Sequence, residues 1–177
     1  MLDELINSAL SKEVITVLMA MIPVAELRGA LPVSILNFHL PWYQGFYLAV
    51  LGNLIPVPFL LLFFDKVSKL LQKTKLGKRF IDWLLTRTAK RTGVVEKYKF
   101  AGLLVFVAIP LPLTGAWTGS LVSYLLGMKF WPSLLAIVLG VLCAGIIVTI
   151  LSLLGWVGAG IAIAALIALA ALGAWKL

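Results

Sequence analysis

Met21-Ile22-Pro23-Val24-Ala25-Glu26-Leu27-Arg28-Gly29-Ala30-Leu31-Pro32 places a glutamate and an arginine two residues apart inside an apolar run. Between Glu13 and Asp65 no other residue carries a fixed charge, and His39 is the only other titratable side chain apart from tyrosine. A charge at bilayer depth costs about 2.5–3.5 kcal/mol even on a lenient insertion scale, so such residues face a cavity or a partner and mark a substrate or proton path. Pro23, Gly29 and Pro32 interrupt a regular helix around the pair. In a membrane that is tolerated only where the freed backbone is buried in protein or wetted. The stretch predicts a transport site on a broken membrane segment.

The rest of the chain supplies the membrane context. Of its 177 residues 62% are hydrophobic and 12% charged, about half the charge of a soluble domain, so the expected class is all-α integral membrane. Residues 29–64, 100–128 and 130–175 contain no Lys, Arg, Asp or Glu. A helical span needs about 20 apolar residues, so these stretches hold roughly four to six inserted segments, all in a single membrane domain. The first 13 residues lack the pattern of a cleaved signal. Leu2, Leu5, Ile6, Ala9 and Leu10 instead form one apolar stripe opposite Asp3, Glu4, Asn7, Ser8 and Ser11, which predicts an amphipathic helix in the interface or a short capping helix. One cysteine, Cys143, reads as a small core residue. With one histidine and one cysteine the chain offers no zinc-type ligand set and no Ser/His/Asp or Cys/His arrangement. Neither an enzyme, a metal nor a cofactor is expected.

Charge fixes the topology. Residues 65–99 hold eleven of the fifteen Lys and Arg and three acids, which places this short loop in the cytoplasm. Within it Phe80, Ile81, Leu84 and Leu85 oppose Lys78, Arg79, Asp82 and Arg87, the pattern of a basic amphipathic helix on an anionic leaflet. Nucleic acid is not expected as the partner of a loop tethered between spans.

Two segments look alike. Residues 14–40 carry Pro23, the charged pair, Gly29 and Pro32 at their centre, where two half-helices meeting at a broken tip are favoured over one kinked span. Pro41-Trp42-Tyr43 marks an interface, and 42–64 runs inward as a span interrupted by Ile55-Pro56-Val57-Pro58. Residues 100–129 again carry central breakers, Ile109-Pro110-Leu111-Pro112-Leu113-Thr114-Gly115-Ala116-Trp117-Thr118-Gly119-Ser120. Phe130-Trp131-Pro132 and a span at 133–154 follow. Ile22-Pro23 aligns with Ile109-Pro110, Gly29-Ala30 with Gly115-Ala116, and Gly52 with Gly140. With 65–99 inside, the first hairpin enters from outside and the second, bounded by Lys99 and Lys129, from inside. The expected architecture is two inverted repeats, 14–64 and 100–154, each a re-entrant helical hairpin plus a transmembrane helix. An interfacial helix at 1–13, the basic loop and an extra C-terminal transmembrane helix at 155–177 complete it. Small residues in that last helix suit close packing or a homo-oligomer.

Glu26-Leu27-Arg28-Gly29-Ala30-Leu31-Pro32 and Pro110-Leu111-Pro112-Leu113-Thr114-Gly115-Ala116-Trp117-Thr118-Gly119 resemble the small multidrug export protein family over most of the chain. Phe100-Ala101-Gly102, Pro110, Gly127-Met128, Phe130 and Gly140 more distantly resemble the DedA-like (VTT domain) membrane proteins. The wider resemblance implies two re-entrant hairpins from opposite faces and movement of lipids, including polyprenyl phosphates. DedA-like proteins carry arginines beside the proline of the second hairpin, whereas nothing between Lys99 and Lys129 is charged here. Arg28 is left as the only deep cation.

The expected site follows from these residue types. Arg28 holds an anion such as a phosphate through its planar fork, Glu26 carries a coupling proton, and Gly29 lets the backbone approach the ligand. Thr114, Gly115, Trp117, Thr118 and Ser120 line the opposite tip, with Gly115 and Gly119 also fitting a small-xxx-small packing pattern. Asn53 reads as a bond to another helix and His39 as interfacial. The leading expectation is a multi-pass transporter or flippase of the cytoplasmic membrane for an amphipathic anion, such as a polyprenyl phosphate or phospholipid, with membrane lipids and protons as its partners. A proton-coupled exporter of cationic drugs is the alternative, disfavoured by the guanidinium beside Glu26. In a scaffold without transport the pair would only pin the hairpin tip.

Single cysteines at 75–95, in a Cys143→Ser background, should react only with reagents admitted to the cytoplasm. Labelling by an impermeant reagent on intact cells would reverse the topology.

Overall fold

The computed structural model describes residues 11–71, 98–111 and 114–155, with 157, 158, 160 and 164 beyond them. The expected N-terminal stripe, the basic amphipathic helix and most of the C-terminal helix lie outside these residues. Among the described residues the chain is helical throughout, without a strand. The elements are α1 (Lys12–Met21), α2 (Glu26–Pro32) continued by a π-helical turn (Val33–Asn37), α3 (Trp42–Leu54), α4 (Pro56–Leu71), α5 (Lys99–Ala108), α6 (Ala116–Leu125) and α7 (Phe130–Leu153). The described chain divides into two compact units, one within Met1–Gly52 and Ala144–Leu177, the other within Asn53–Cys143.

Two helical stretches, Trp42–Phe64 (23 residues) and Phe130–Leu153 (24 residues), are long and apolar enough to cross a membrane. α1 and α5 are not. Each has 10 residues, about 15 Å at 1.5 Å per residue, half of a hydrocarbon core of about 30 Å.

In the first unit α1 begins at Lys12 because Ser11, in extended conformation, accepts a hydrogen bond from Val14 N–H at its side-chain oxygen. The helix ends at Met21, where the Ile22 N–H turns back to the Met19 carbonyl and Pro23 follows without a donor. α2 then folds back along α1. Lys12 Nζ donates to the Phe38 carbonyl at 3.3 Å, and Gln44 Nε2 to Glu13 Oε1 at 3.5 Å. The start of α1 therefore sits beside the exit from the π turn, and α1, α2 and that turn make a hairpin. Its inner residues Thr16, Ala20, Leu27, Ala30, Leu31 and Ser34 are buried.

The second unit repeats this geometry. α5 starts and stops 87 residues after α1 (12 + 87 = 99, 21 + 87 = 108), and the residue after each, Ile22 and Ile109, is extended at ψ 133° and 119°. A Cβ on Gly52 would meet the Val17 carbonyl oxygen at 2.4 Å and Ala20 Cβ at 2.9 Å. A Cβ on Gly140 would meet the Leu104 carbonyl oxygen at 2.9 Å and Val107 Cβ at 2.7 Å. Val17 and Leu104, and Ala20 and Val107, are again 87 apart. At the start of the long helices Trp42 and Tyr43 pack edge-to-face with ring centroids 5.9 Å apart, as Phe130 and Trp131 do at 5.5 Å. The Leu40 N–H donates to the Ser34 carbonyl and the Met128 N–H to the Ser123 carbonyl. A Cβ on Gly45 would press on Ser34 Oγ, and Ser123 Oγ hydrogen-bonds Ser133 Oγ. Pro23 and Pro110, and Gly52 and Gly140, thus sit in matching local contacts.

One aligned pair is not equivalent. Gly29 lies inside α2, whereas Gly115 is the N-cap of α6. The second arm of the first hairpin has 12 residues (26–37) against 10 in α6 (116–125). The π turn accommodates the difference, since its wider ring takes up extra residues.

The expectation of a core role for Cys143 is also corrected. Its side chain is exposed, because Val141, Ala144 and Val148 form the buried stripe of that part of α7 and residue 143 lies off it. On a membrane helix an apolar face needs no protein cover. Exposed Leu135, Leu139, Ile146, Ile147 and Ile150 on the same helix fit a lipid-facing surface.

The close helix contacts give a graded test. Gly52→Ala and Gly140→Ala should each destabilise the protein by about 1–3 kcal/mol through overpacking. Gly102→Ala, with nothing within 4 Å of the new Cβ, should be neutral or slightly stabilising through helix propensity. Unfolding in detergent, followed by circular dichroism, measures the order.

Candidate functional site

The first hairpin turns at Ile22–Ala25, because Pro23 ends α1 and no helical donor is available there. The Glu26 N–H returns to the Ile22 carbonyl at 2.9 Å and the Gly29 N–H to the Ala25 carbonyl at 2.8 Å. Glu26 opens α2 with φ +46°, in the left-handed region, which costs a side chain with a Cβ about 1–2 kcal/mol. The cost is local, and such strain persists only where the surroundings enforce it.

The strained backbone explains how two charges two residues apart can meet. On a regular helix residues i and i+2 point to different sides. With Glu26 out of helical register, Arg28 Nη1 lies 3.6 Å from Glu26 Oε2. The Arg28 and Glu26 side chains are 18% and 8% exposed, so the arginine side chain is the more open of the two. Arg28 Nε is buried and makes no hydrogen bond, while both residues have further interactions besides this pair. Gly29 stands one helical turn from Ala25, where a Cβ would meet the Ala25 methyl at 3.2 Å. Its lack of a side chain therefore serves the tight turn, and any approach of a ligand comes in addition. Leu27 also backs the neighbouring helix, lying 3.4 Å from where a Cβ on Gly145 would stand.

The second tip is uncharged. α5 ends at Ala108, and the Leu111 N–H closes a tight turn on the Ile109 carbonyl at 2.8 Å. Thr114 Oγ1 lies 2.8 Å from the Ile109 carbonyl and 2.9 Å from that of Leu111, so its hydroxyl ties the turn together. Thr118 Oγ1 donates to the Gly115 carbonyl at 3.2 Å, and Trp117 is half-buried. Ser120 is fully buried and donates to the Ala116 carbonyl at 2.7 Å, a self-contained arrangement within α6. Gly119 packs against α5, where a Cβ would meet Val107 Cγ2 at 2.6 Å. The small-xxx-small spacing here serves packing. Among the described residues no three of His, Cys, Asp and Glu gather as a metal site.

The expected site residues thus form two groups, Glu26, Arg28 and Gly29 in the first unit, and Thr114, Gly115, Trp117, Thr118 and Ser120 in the second. The family description "Putative small multi-drug export protein" matches residues 26–147, from the glutamate of the first tip into α7. The chain belongs to this family. No curated protein and no solved structure matches it. The matched span begins just after the first turn and takes in the charged pair, the second tip, all of Trp42–Phe64 and most of Phe130–Leu153, and an export-protein family with two membrane-length helices describes a membrane protein.

Sequence reasoning passed over two features. Asn53, read as a bond to another helix, is 3% exposed, and its side-chain oxygen is buried without a hydrogen bond. Buried Ser123 and Ser133 hydrogen-bond the second hairpin to the helix that follows it, while buried Ser34, whose hydroxyl donates to the Leu31 carbonyl, packs against Gly45 at the matching place in the first. Their signal was the serine or glycine recurring at matched offsets. His39, expected at an interface, is exposed, with a left-handed backbone at φ +55°.

The ion pair makes a stability prediction. Arg28→Ala or Glu26→Gln alone leaves one buried charge and should destabilise by roughly 3–5 kcal/mol, whereas removing both should cost less. Combining Arg28→Ala with Glu26→Gly should be more stable still, by about 1 kcal/mol over the pair with Glu26→Ala, because glycine relieves the left-handed strain. Denaturant unfolding of the purified variants decides both.

Proposed function

We propose that the protein is a multi-pass transporter of the cytoplasmic membrane that moves an amphipathic anion, with Arg28 holding the anionic headgroup and Glu26 carrying a proton. The observation that carries this is the charge pair on the broken tip, in which the arginine side chain is the more exposed of the two. At about 4 Å two unit charges interact by roughly 4 kcal/mol at an effective dielectric of 20. An anion is favoured over a cation beside Arg28 by some such amount, less what an ionised Glu26 takes back. The planar fork of arginine suits the two-point binding of a phosphate.

The architecture proposed for this activity is a pair of inverted repeats whose hairpins are re-entrant. Three things support it: the recurrence of the α1–Gly52 contact as the α5–Gly140 contact, the return of the first hairpin to its own entry point, and the basic 65–99 loop between the two halves. Transporters built in this way bind substrate near the midplane where helices are broken.

A second reading has the family description in its favour: export of cationic drugs against protons, with Glu26 as the exchanging carboxylate. The two readings differ in sign. Reconstituted in liposomes, the protein should bind or translocate a phosphate-bearing lipid, competed by related phosphates and not by lipophilic cations. The Arg28→Ala/Glu26→Gln double variant should regain stability and remain inactive. Tight binding of a lipophilic cation at high pH, released on acidification and lost in Glu26→Gln, would establish the drug exporter instead.

A further inference from the structure

The first long helix is broken at its middle. α3 supplies 13 residues and ends at Leu54, α4 begins at Pro56, and Ile55 lies between them. Pro56 and Pro58 have no N–H, so the carbonyls of Gly52 and Leu54, four residues earlier, receive no helical hydrogen bond from them. Those two prolines also remove amide protons from the first turn of α4, the groups by which a helix start would otherwise attract an anion. What remains on this continuous stretch is acceptors at the negative end of the α3 dipole. Between the two carbonyls in sequence stands Asn53, whose buried side-chain oxygen has no hydrogen-bond partner. No acid or base lies between Arg28 and Asp65 besides His39 and tyrosines.

Asn53 Oδ1 is a neutral oxygen without a donor and the Leu54 carbonyl lacks its usual helical one, and such oxygens are costly in an apolar interior. A small cation satisfies several of them at once. The absence of a carboxylate disfavours calcium, which takes charged oxygen ligands, and magnesium, which dehydrates reluctantly. Hard oxygen donors also disfavour thiophilic metals. Unwound backbone carbonyls at mid-membrane are the ligands by which broken helices hold sodium.

We propose that the break at Asn53–Pro58 is a binding site for a dehydrated monovalent cation of the sodium class, with Asn53 Oδ1 and the Leu54 carbonyl as its protein ligands. The site is independent of what Arg28 binds.

Equilibrium binding of radioactive sodium to purified protein in detergent, with choline replacing sodium in the control, tests it directly. Saturable binding approaching one ion per chain is expected. Asn53→Ala should weaken it at least tenfold, and Asn53→Asp, which keeps a side-chain oxygen and adds charge, should retain or tighten it. Pro58→Ala, which returns an N–H to the Leu54 carbonyl, should weaken binding without touching Asn53. Gly102→Ala, whose new Cβ meets nothing within 4 Å, should bind sodium as the unaltered protein does, and because sodium binding is read without any anionic substrate, this result and the transport result stand or fall separately. Sodium should also raise the unfolding temperature of the unaltered protein relative to choline. No saturable sodium binding in the unaltered protein would overturn the proposal, as would full binding in Asn53→Ala. If Asn53→Ala does not fold, undiminished binding in Pro58→Ala overturns it.

Discussion

Each long helix approaches a hairpin arm so closely that only glycine fits between them. Gly52 lies against the backbone of α1 at Val17, and Gly140 against that of α5 at Leu104. A 10-residue helix cannot cross a bilayer, and its ends cannot be left in hydrocarbon without partners for their polar groups. In the re-entrant arrangement proposed, it is held by a helix long enough to span. The glycine contact brings backbone to backbone, and dispersion then acts over the whole face. The turn at each tip, the buried serine at each exit and the aromatic pair at the start of each long helix accompany that contact.

The same constraint positions the charged pair. Because α1 stops at Pro23 in the middle of an apolar run, the tip needs a turn of its own, and Glu26 enters it with a left-handed backbone. That strain brings the carboxylate within ion-pair range of Arg28. The second tip solves the same problem without charge, by folding the Thr114 hydroxyl onto the Ile109 and Leu111 carbonyls. The first tip is therefore charged and the second neutral, and Arg28 gives the site proposed at the first tip its preference for one sign of headgroup.

Much of the scaffold was legible in the sequence because prolines and glycines act locally. Pro23 and Pro110 end their helices wherever the fold places them, and Gly52 and Gly140 were matched by offset before any contact was known. The π turn at Val33–Asn37 was not legible, since its residues are ordinary helix and strand formers and only the two extra residues in that arm distinguish it. It also breaks the apparent Gly29–Gly115 match. Cys143 was misread because burial in water and burial in lipid leave the same apolar signature. At the site, Glu26 and Arg28 stood out by charge alone. The left-handed Glu26 had no sequence signal, because a glutamate there does not advertise a positive φ as a glycine would. The unmet oxygen of Asn53 was hidden for a related reason, as composition cannot tell a bonded asparagine from a solitary one.

The central claim is that both hairpins return to the face they enter, one on each side of the membrane. The most direct measurement is paired accessibility of single cysteines at the hairpin ends, at Glu13 and Leu40 and at Lys99 and Lys129, in a Cys143→Ser background and in membranes of known orientation. The account predicts that an impermeant reagent modifies the first pair from outside only and the second from the cytoplasm only. Members of either pair reacting from opposite faces would make that hairpin a crossing helix and contradict the account.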